Sequence, residues 1–403
     1  MRAHAAIAII AAAAGALATV PYARDAVQTG TPAGGCRDWV AAPRFTQEID
    51  AVRPLVAKLK RALAAPGLAV AVAADGNVVW SSTCGLADRE RRVPVARSTR
   101  FRIGSVSKPI TAVAATCLVK RGRLDLDSEI QTYVDFPRKR WPITVRQLGG
   151  HLAGIRHYRG SEALSTRRYP SLKASLAIFA RDPLVAAPGT RYVYSSYGFN
   201  LLGAAVEKAA ARPFGAAVDE LVLRPLGMRA TRLDGPHVRR RARFYEVTSR
   251  RHAIFAPRVD LSNRYPSGGF LSTAEDLARL GTGITDPAFL GPPQQSVLFS
   301  SQRTSSGEAT GYGFGFDVGE SPFGPVAGHT GNVVGGTSFL FIHLRTRVVV
   351  ALTTNVGFVT ASAPPPLGRD VPDPPRLALP FIRRVLGSSS GTASAPAQEA
   401  PAP

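Results

Sequence analysis

The chain contains 403 residues, of which 45% are hydrophobic and 19% are charged, and its mean hydropathy is +0.01. This length and composition suit one large domain or two ordinary ones, and they exclude a collagen-like, coiled-coil or wholly disordered chain. The chain carries 50 basic and 28 acidic residues, a formal net charge of +22. Such an excess raises the question of a nucleic-acid partner.

The basic residues are spread along the whole chain. Only seven are lysine, and the densest run covers residues 239–243, with Arg250 and Arg251 nearby. A nucleic-acid site needs cations interleaved with aromatic residues on one face. We therefore interpret this run as a solvated basic loop and predict no nucleic-acid partner, although such a surface could attract anionic polymers of a cell envelope.

The N-terminal residues 1–18 have the features of a secretory signal peptide. Arg2 supplies a positive start, residues 5–20 carry no charge, and small residues permit cleavage after Ala18 or Ala23. We predict an exported protein, periplasmic or secreted, that is held at a membrane only if this segment is retained.

The remaining elements are predicted from hydrophobic periodicity and from turn and capping residues. In chain order they are an amphipathic helix over 47–64 with Pro54 as a flaw, strands 68–72 and 78–80 around Asp75-Gly76-Asn77, a buried helix over 105–121, a helix over 198–211, a helix capped by Thr273, strands 338–342 and 348–352, and a terminal helix marked by Leu377, Phe381 and Val385.

These elements predict an α+β fold in which early and late strands share one antiparallel β-sheet, flanked by N- and C-terminal helices. A cleft between this sheet and an inserted helical lobe is the natural place for a site. The predicted boundaries are a flexible linker at 19–44, a folded body at 45–387 (sheet part 45–124 and 310–387, helical lobe 125–309), and a disordered tail at 388–403.

A Ser-x-x-Lys pair, Ser105 and Lys108, lies at the start of the buried helix. Residues three apart share a helix face, so the lysine amine can reach the serine hydroxyl. Burial and the helix N-terminus both disfavour the ammonium form, and a neutral amine could take the serine proton. The pair therefore predicts an activated nucleophile, and the alternative is a surface serine beside a solvated lysine. Ser107 is the other hydroxyl nearby.

Two further segments carry candidate chemistry. Tyr194-Ser195-Ser196 precedes a predicted helix, and a phenol near two cations could ionise and move protons. His329-Thr330-Gly331-Asn332 precedes a strand, and its backbone N–H groups could hold an oxyanion. Taken singly, each segment also fits a structural role in packing or turn formation.

In this order and spacing the three segments resemble the motifs of the serine β-lactamase/penicillin-binding-protein superfamily, in its class C β-lactamase-like branch. Residues 154–158 and the Tyr-Ser-Ser variant look most like the mitochondrial serine β-lactamase-like protein and its bacterial relatives. The resemblance covers about 50–386 and includes the flanking phrases at 124–127, 149–154, 225–228 and 268–273.

The resemblance implies a β-lactamase/transpeptidase-like fold, no cofactor and a set of residue roles. These are Ser105 as the acylated nucleophile, Lys108 as its base partner, Tyr194 as a proton shuttle, the N–H groups of Ser105 and Asn332 as an oxyanion hole, and Ser196, His329, Thr330, Gly331 and Asn332 as substrate-binding residues.

Two positions depart from the family pattern. Ser196 replaces an asparagine that would bind a substrate amide, and His329 replaces a lysine. A free imidazole titrates near pH 6.5 and offers no fixed charge to a substrate carboxylate. We expect weak β-lactam hydrolysis, and an activity change between about pH 5.5 and 7.5 if His329 takes part.

Other candidate residues give weaker signals. His151 and His157 have no partner at metal-ligand spacing, which favours structural roles. Cys84 and Cys117 fit either a disulfide or two inert thiols, and an odd total of three cysteines leaves at least one unpaired.

The sequence therefore predicts an exported serine hydrolase that acts through an acyl-enzyme on peptide amides or small esters. The alternative is a non-catalytic binding or assembly protein of the cell envelope with the same fold, because a fold does not fix a function.

Overall fold

The computed structural model describes residues 27–29, 35–248, 252–358 and 374–390. Its strands are β1 (Val27–Thr29), β2 (Cys36–Val40), β3 (Gly67–Ala74), β4 (Asn77–Asp88), β5 (Val93–Pro94), β6 (Phe101–Arg102), β7 (Arg232–Leu233), β8 (Tyr245–Val247), β9 (Ala253–Phe255), β10 (Phe270–Ser272), β11 (Asp317–Ser321), β12 (Gly324–Val333), β13 (Gly336–His343), β14 (Val349–Thr354) and β15 (Val356–Gly357).

The α-helices are α1 (Thr46–Ala62), α2 (Ser107–Lys120), α3 (Val145–Gly149), α4 (Leu172–Leu176), α5 (Ser196–Ala210), α6 (Phe214–Val218), α7 (Tyr265–Gly268), α8 (Ala274–Gly283), α9 (Pro292–Phe299) and α10 (Leu379–Ser390). Short 3₁₀ turns cover Pro43–Phe45, Gly104–Val106, Ile130–Thr132, Gly160–Leu164, Leu261–Arg264 and Pro374–Leu377, and a π turn covers Asp219–Leu223. No helix in these described ranges is long and apolar enough to cross a membrane.

One antiparallel sheet organises the molecule, in the order β1-β2-β4-β3-β14-β13-β12-β11. Chain-early strands thus pair with chain-late strands at β3 and β14, as the sequence predicts. Two small sheets, β6-β10-β7 and β15-β8-β9, lie beside it. The predicted α+β fold is confirmed.

The two faces of the main sheet carry different cores. On β3, Leu68, Val70 and Val72 face α1 and α10, whereas Ala69 and Ala71 face the helical lobe. The alternation follows the two-residue period of a strand. Helices from both chain ends therefore cover one face, and α8 and the buried α2 lie on the other.

Local turn and capping residues behave as expected. Asp75 and Gly76 both have positive φ (50° and 79°), as a two-residue turn between twisted strands requires. The Thr273 side chain accepts the Asp276 N–H at the start of α8. Pro54 lies inside α1, which continues through it from Thr46 to Ala62.

The ends of the folded body differ from the prediction. Strand β2 lies inside the expected linker at 19–44 and pairs with β4 at the sheet edge. The expected helical lobe also contains the short strands β7 to β10. Helix α10 continues to Ser390, past the expected boundary at 387, and the signal peptide and the rest of the tail lie outside the described residues.

A disulfide joins Cys36 on β2 to Cys84 on β4, at directly opposed positions. Cys117 is a free, buried thiol on α2. The alternative of a Cys84–Cys117 disulfide is therefore wrong, because Cys84 packs in the core under α1 and α10, whereas Cys117 packs in the core on the lobe side of the sheet, its Sγ 3.6 Å from the Leu221 carbonyl oxygen. The sequence did not indicate Cys36 as the partner, because this residue lies in the segment 19–44 that was interpreted as a flexible linker.

Reduction of this disulfide should lower the free energy of unfolding by about 4 kcal/mol, because the bond closes a loop of 48 residues in the unfolded chain. Denaturant unfolding with and without a thiol reductant measures the loss. Cys36→Ser should show the same loss without reductant and no further response to it. An unfolding midpoint that reductant leaves unchanged would contradict this expectation.

Candidate active site

The candidate nucleophile lies on a tight turn that runs directly into a buried helix. Ser105 is the middle residue of the 3₁₀ turn Gly104–Val106, and α2 begins at Ser107. Every residue of α2 from Ser107 to Leu118 is buried. The helix is therefore fixed on all sides, and the position of Lys108 on its first turn is fixed with it.

The Lys108 amine is completely buried and has three oxygen neighbours. Its Nζ lies 2.9 Å from Ser105 Oγ, 3.0 Å from the Ser267 carbonyl oxygen and 3.3 Å from Ser196 Oγ. A neutral amine has two N–H donors and one lone pair. The carbonyl and Ser196 can accept the two donors, which leaves the lone pair for the Ser105 hydroxyl.

Electrostatics favour this neutral form. Burial lowers the pKa of Lys108 well below its ordinary value, and the Asp317 carboxyl, which acts in the opposite direction, only partly offsets it. Burial in turn raises the pKa of Asp317. Both shifts disfavour charge in a dry site, so the amine is suited to accept a proton.

Tyr194 contacts the same serine from another element. Its Oη lies 2.9 Å from Ser105 Oγ, and burial raises the pKa of this phenol above its ordinary value. The expectation that the phenol could ionise is not supported, because burial outweighs the neighbouring groups. Tyr194 is therefore a protonated phenol that can donate to Ser105 Oγ.

The two serines after Tyr194 hold its segment in place. Ser195 Oγ accepts the Gly198 N–H at 2.9 Å at the start of α5 and donates to the Arg156 carbonyl at 2.8 Å. Ser196, expected to bind substrate, is 2% exposed and contacts Lys108. It therefore lies beside the base and is closed off from solvent.

Two histidines support this segment through its backbone. His151 Nδ1 accepts the N–H of Ser195 and His157 Nδ1 accepts that of Ser196, each at 3.1 Å. An accepting Nδ1 places the proton of a neutral imidazole on Nε2. The predicted structural role of these histidines thus has a definite form, since they orient the backbone that carries Tyr194.

The third motif lies on β12, and its histidine points inward. His329 is 3% exposed, its Nδ1 donates to the Thr330 carbonyl at 2.6 Å, and its Nε2 accepts the Tyr312 hydroxyl at 3.0 Å. Thr330 and Asn332, by contrast, have exposed side chains. Of the residues expected to bind substrate, these two can reach it.

Close backbone approach explains the glycines of the first and third motifs. A Cβ on Gly331 would lie 2.1 Å from the Ile103 carbonyl oxygen, and one on Gly104, whose φ is +48°, would lie 2.9 Å from Asn332 N. Glycine at both positions therefore brings the nucleophile turn against β12. This contact puts the N–H groups of Ser105 and Asn332 on neighbouring backbones.

Residues 52–367 match the family model described as "Beta-lactamase". The chain belongs to the beta-lactamase family. Its relatives include the mitochondrial serine beta-lactamase-like protein LACTB of Mus musculus, 30% identical over 321 residues, which cover 60% of this chain and 58% of that protein. The chain thus spans little more than half the length of this relative.

Esterase EstB of Burkholderia gladioli is 30% identical over 314 residues, covering 68% of this chain and 79% of the esterase. Among solved structures, a D-amino acid amidase from Ochrobactrum anthropi superposes with a TM-score of 0.69 at 19% identity, covering 85% of this chain and 99% of that one. A penicillin-binding protein homologue from Pyrococcus abyssi gives 0.67 at 23%, covering 84% and 77%.

The predicted superfamily, and its branch with the mitochondrial serine β-lactamase-like proteins, is confirmed. The predicted enzyme class, a β-lactamase-related serine hydrolase, is also confirmed. It rests on the family match and on the relative named as an esterase. Sequence reasoning missed two residues of this beta-lactamase-family site, Tyr312 and Asp317. Glycines on both sides of Tyr312 were the local signal that could have identified it as a site residue. No neighbouring residue marks Asp317 in the same way.

His329 in this beta-lactamase-family chain should not titrate near neutrality. Burial, reinforced by Lys108, lowers its pKa to about 3. The expected activity change between pH 5.5 and 7.5 therefore loses its physical basis, because the imidazole is neutral throughout that range. The cause is the inward orientation of the ring, which the sequence did not reveal.

The same shift predicts how stability depends on pH. In the unfolded chain His329 binds a proton below about pH 6.5, whereas in the folded protein it does so only near pH 3. Stability should therefore fall as the pH drops from 6.5 towards 3, by about 1.4 kcal/mol per pH unit for this residue. Denaturant unfolding at several pH values measures the slope, and His329→Gln should reduce it by that amount. Equal slopes in both proteins would contradict the prediction.

Proposed function

We propose that this chain is a serine hydrolase that acts through an acyl-enzyme, with Ser105 as nucleophile. The observation that carries the proposal is the environment of Ser105 Oγ, which lies 2.9 Å from the Lys108 amine and 2.9 Å from the Tyr194 phenol. A base and an acid on one hydroxyl are what nucleophilic catalysis requires.

In the first step Ser105 Oγ forms a bond to the substrate carbonyl carbon, and its proton passes to Lys108 Nζ. The carbonyl electrons move onto oxygen, which the N–H groups of Ser105 and Asn332 are placed to stabilise. Collapse breaks the bond to the leaving group, which departs with a proton. Tyr194, the second group in contact with Oγ, is suited to deliver this proton and to regain one from Lys108, so that both side chains leave the step in the state in which they entered it.

In the second step water replaces the alcohol or amine. The water gives its proton to the base, its oxygen bonds to the acyl carbon, and the Ser105–acyl bond breaks as Oγ regains a proton. The acid is released and the site returns to its first state. Substrate and water enter this balance, and the side chains of Ser105, Lys108 and Tyr194 carry the protons between them.

The substrate class we propose is small esters and peptide amides, with β-lactams as poor substrates. The relatives named an esterase and a D-amino acid amidase support a carbonyl substrate of this kind. Ser196 and His329 are both buried and hydrogen-bonded within the protein, which removes two side chains expected to bind substrate.

We also propose that the protein is exported. The Cys36–Cys84 disulfide supports this, because such bonds persist in oxidising compartments and are rare in the cytosol. Within this proposal the protein would meet esters, short peptides or cell-wall peptides outside the cytoplasm.

Burst kinetics with p-nitrophenyl acetate test the proposed reaction. The wild-type protein should release one equivalent of nitrophenol rapidly and then turn over steadily, with an acetyl adduct on intact mass. Tyr194→Phe should slow steady turnover by about a hundredfold, with a much smaller effect on KM, because it removes an acid and not a binding contact. Unchanged kcat would remove Tyr194 from the mechanism, and absence of any turnover would favour the alternative of a binding protein.

A further inference from the structure

A large pocket lies next to the nucleophile turn and is separate from the groups described so far. Its volume is about 920 Å³, and residues 234–236, 241–244 and 255–261 line much of it. Arg102, three residues before Ser105, forms part of the wall. We call this cavity the arginine pocket.

The arginine pocket shares its wall with the strand turn that follows Asn332. A Cβ on Gly335 would lie 2.3 Å from Phe244 Cβ and 3.2 Å from Ala256 Cβ, so these two pocket residues pack directly on that turn. Arg102 donates to the Val334 carbonyl at 2.8 Å. The pocket therefore borders the turn between β12 and β13 and the strand β6 that precedes Ser105.

The acidic residues of the pocket are already paired. Asp234 is 2.8 Å from Arg102 Nε and 2.8 Å from Arg241 Nε. Asp260 Oδ1 accepts the Ser262 N–H at 2.8 Å and lies 3.6 Å from Arg168 Nη1. Neither carboxylate is left to neutralise a further cation.

Two more arginines of the pocket, Arg243 and Arg258, are exposed, and no acidic side chain of the described residues pairs with either. The Arg243 guanidinium lies 4.5 Å from the centre of the Phe255 ring, which fixes its direction. A guanidinium held this way presents a planar set of donors that matches a carboxylate.

Two groups beside Ser105 that could carry a positive charge, Lys108 and His329, are both buried. Burial lowers the pKa of Lys108 well below its ordinary value and that of His329 to about 3, which disfavours a positive charge on either group. A negative group on the substrate would therefore find its counter-charge in the arginine pocket. The Phe244 and Phe255 rings supply apolar walls for the carbon chain between that group and the reacting carbonyl.

We propose that the arginine pocket binds a carboxylate of the substrate through Arg243 and Arg258, so that the enzyme favours esters or amides bearing a carboxylate some distance from the reacting carbonyl. This inference rests on the proposed serine hydrolase function. It names a substrate class that the reacting groups alone do not define.

Two matched pairs of esters test the inference. The p-nitrophenyl ester of adipic acid and its methyl-capped form differ by a carboxylate on the acyl side, and 4-acetoxybenzoate and its methyl ester differ on the leaving-group side. Wild-type kcat/KM should favour the charged member of at least one pair by at least about tenfold. The double variant Arg243→Gln/Arg258→Gln should lose the preference and keep its rate on the neutral member.

The control variant Arg123→Gln/Arg181→Gln removes two exposed arginines outside the pocket and should keep the preference. The inference is overturned if neither pair discriminates, or if both double variants lose the preference equally. Calorimetry of adipate binding to the Ser105→Ala variant tests whether the arginine pocket binds a carboxylate, and it does not depend on turnover. Binding that Arg243→Gln/Arg258→Gln weakens at least about tenfold supports the pocket even if no ester is hydrolysed, and no binding at millimolar adipate overturns it.

Discussion

Ser105→Ala should abolish covalent labelling by a fluorophosphonate and lower ester turnover by at least about ten-thousandfold. The reason is that Ser105 Oγ is the hydroxyl placed 2.9 Å from both the Lys108 amine and the Tyr194 phenol. Intact-protein mass after incubation should show one adduct on the wild-type chain and none on the variant.

Ser107→Ala provides the matched control. Ser107 lies two residues further on, is fully buried and accepts the Phe270 N–H at 3.3 Å, and the three oxygens around Lys108 Nζ belong to Ser105, Ser196 and Ser267. This variant should label as the wild type does. Labelling that survives Ser105→Ala would show that another residue reacts, and no labelling of either protein would favour the non-catalytic alternative.

Lys108→Met should slow acylation by about a hundred- to ten-thousandfold, the usual contribution of a positioned general base. Methionine has a similar length and fills the buried site without an amine. The rate of fluorophosphonate labelling, followed by mass, measures acylation directly. In the wild-type protein, protonation of the Lys108 amine should make the labelling rate depend on pH. The variant should lose that dependence.

Folding must be checked separately, because the substitution leaves the Ser267 carbonyl and Ser196 Oγ without their shared donor. Far-ultraviolet circular dichroism and a cooperative thermal transition would show that the fold survives. Lys120→Met, on the last turn of the same helix, should label normally. Near-normal labelling of a folded Lys108→Met protein would remove this lysine from the mechanism.

The sequence predicted those parts of the fold that follow from local pattern. The positive-φ turn at Asp75-Gly76, the Thr273 cap and the pairing of early with late strands all follow from residues a few positions apart or from alternating burial. Strand β2 was missed because its surroundings are rich in Gly, Pro and Ala, and its stability comes from pairing with β4 and from a disulfide.

Within the site, the residue types were predicted more reliably than their orientation. Helix spacing indicated that Lys108 would reach Ser105, the family resemblance implied that Tyr194 would join them, and the structure brings the three together. The sequence could not indicate that His329 points towards Tyr312 or that Ser196 points towards Lys108. Orientation depends on which neighbouring element supplies a hydrogen-bond partner, and that is a property of the packed molecule.

The two glycines at the contact between the nucleophile turn and β12 show that one part of the chain accepts few substitutions, whereas another part is free to vary. Gly104 and Gly331 admit no side chain, so the reacting groups form a unit that tolerates little substitution. Most of the wall of the arginine pocket comes instead from short strands and connecting segments between Leu233 and Leu261. A laboratory selection for new substrates should therefore collect its mutations in that stretch and leave the reacting unit as it is.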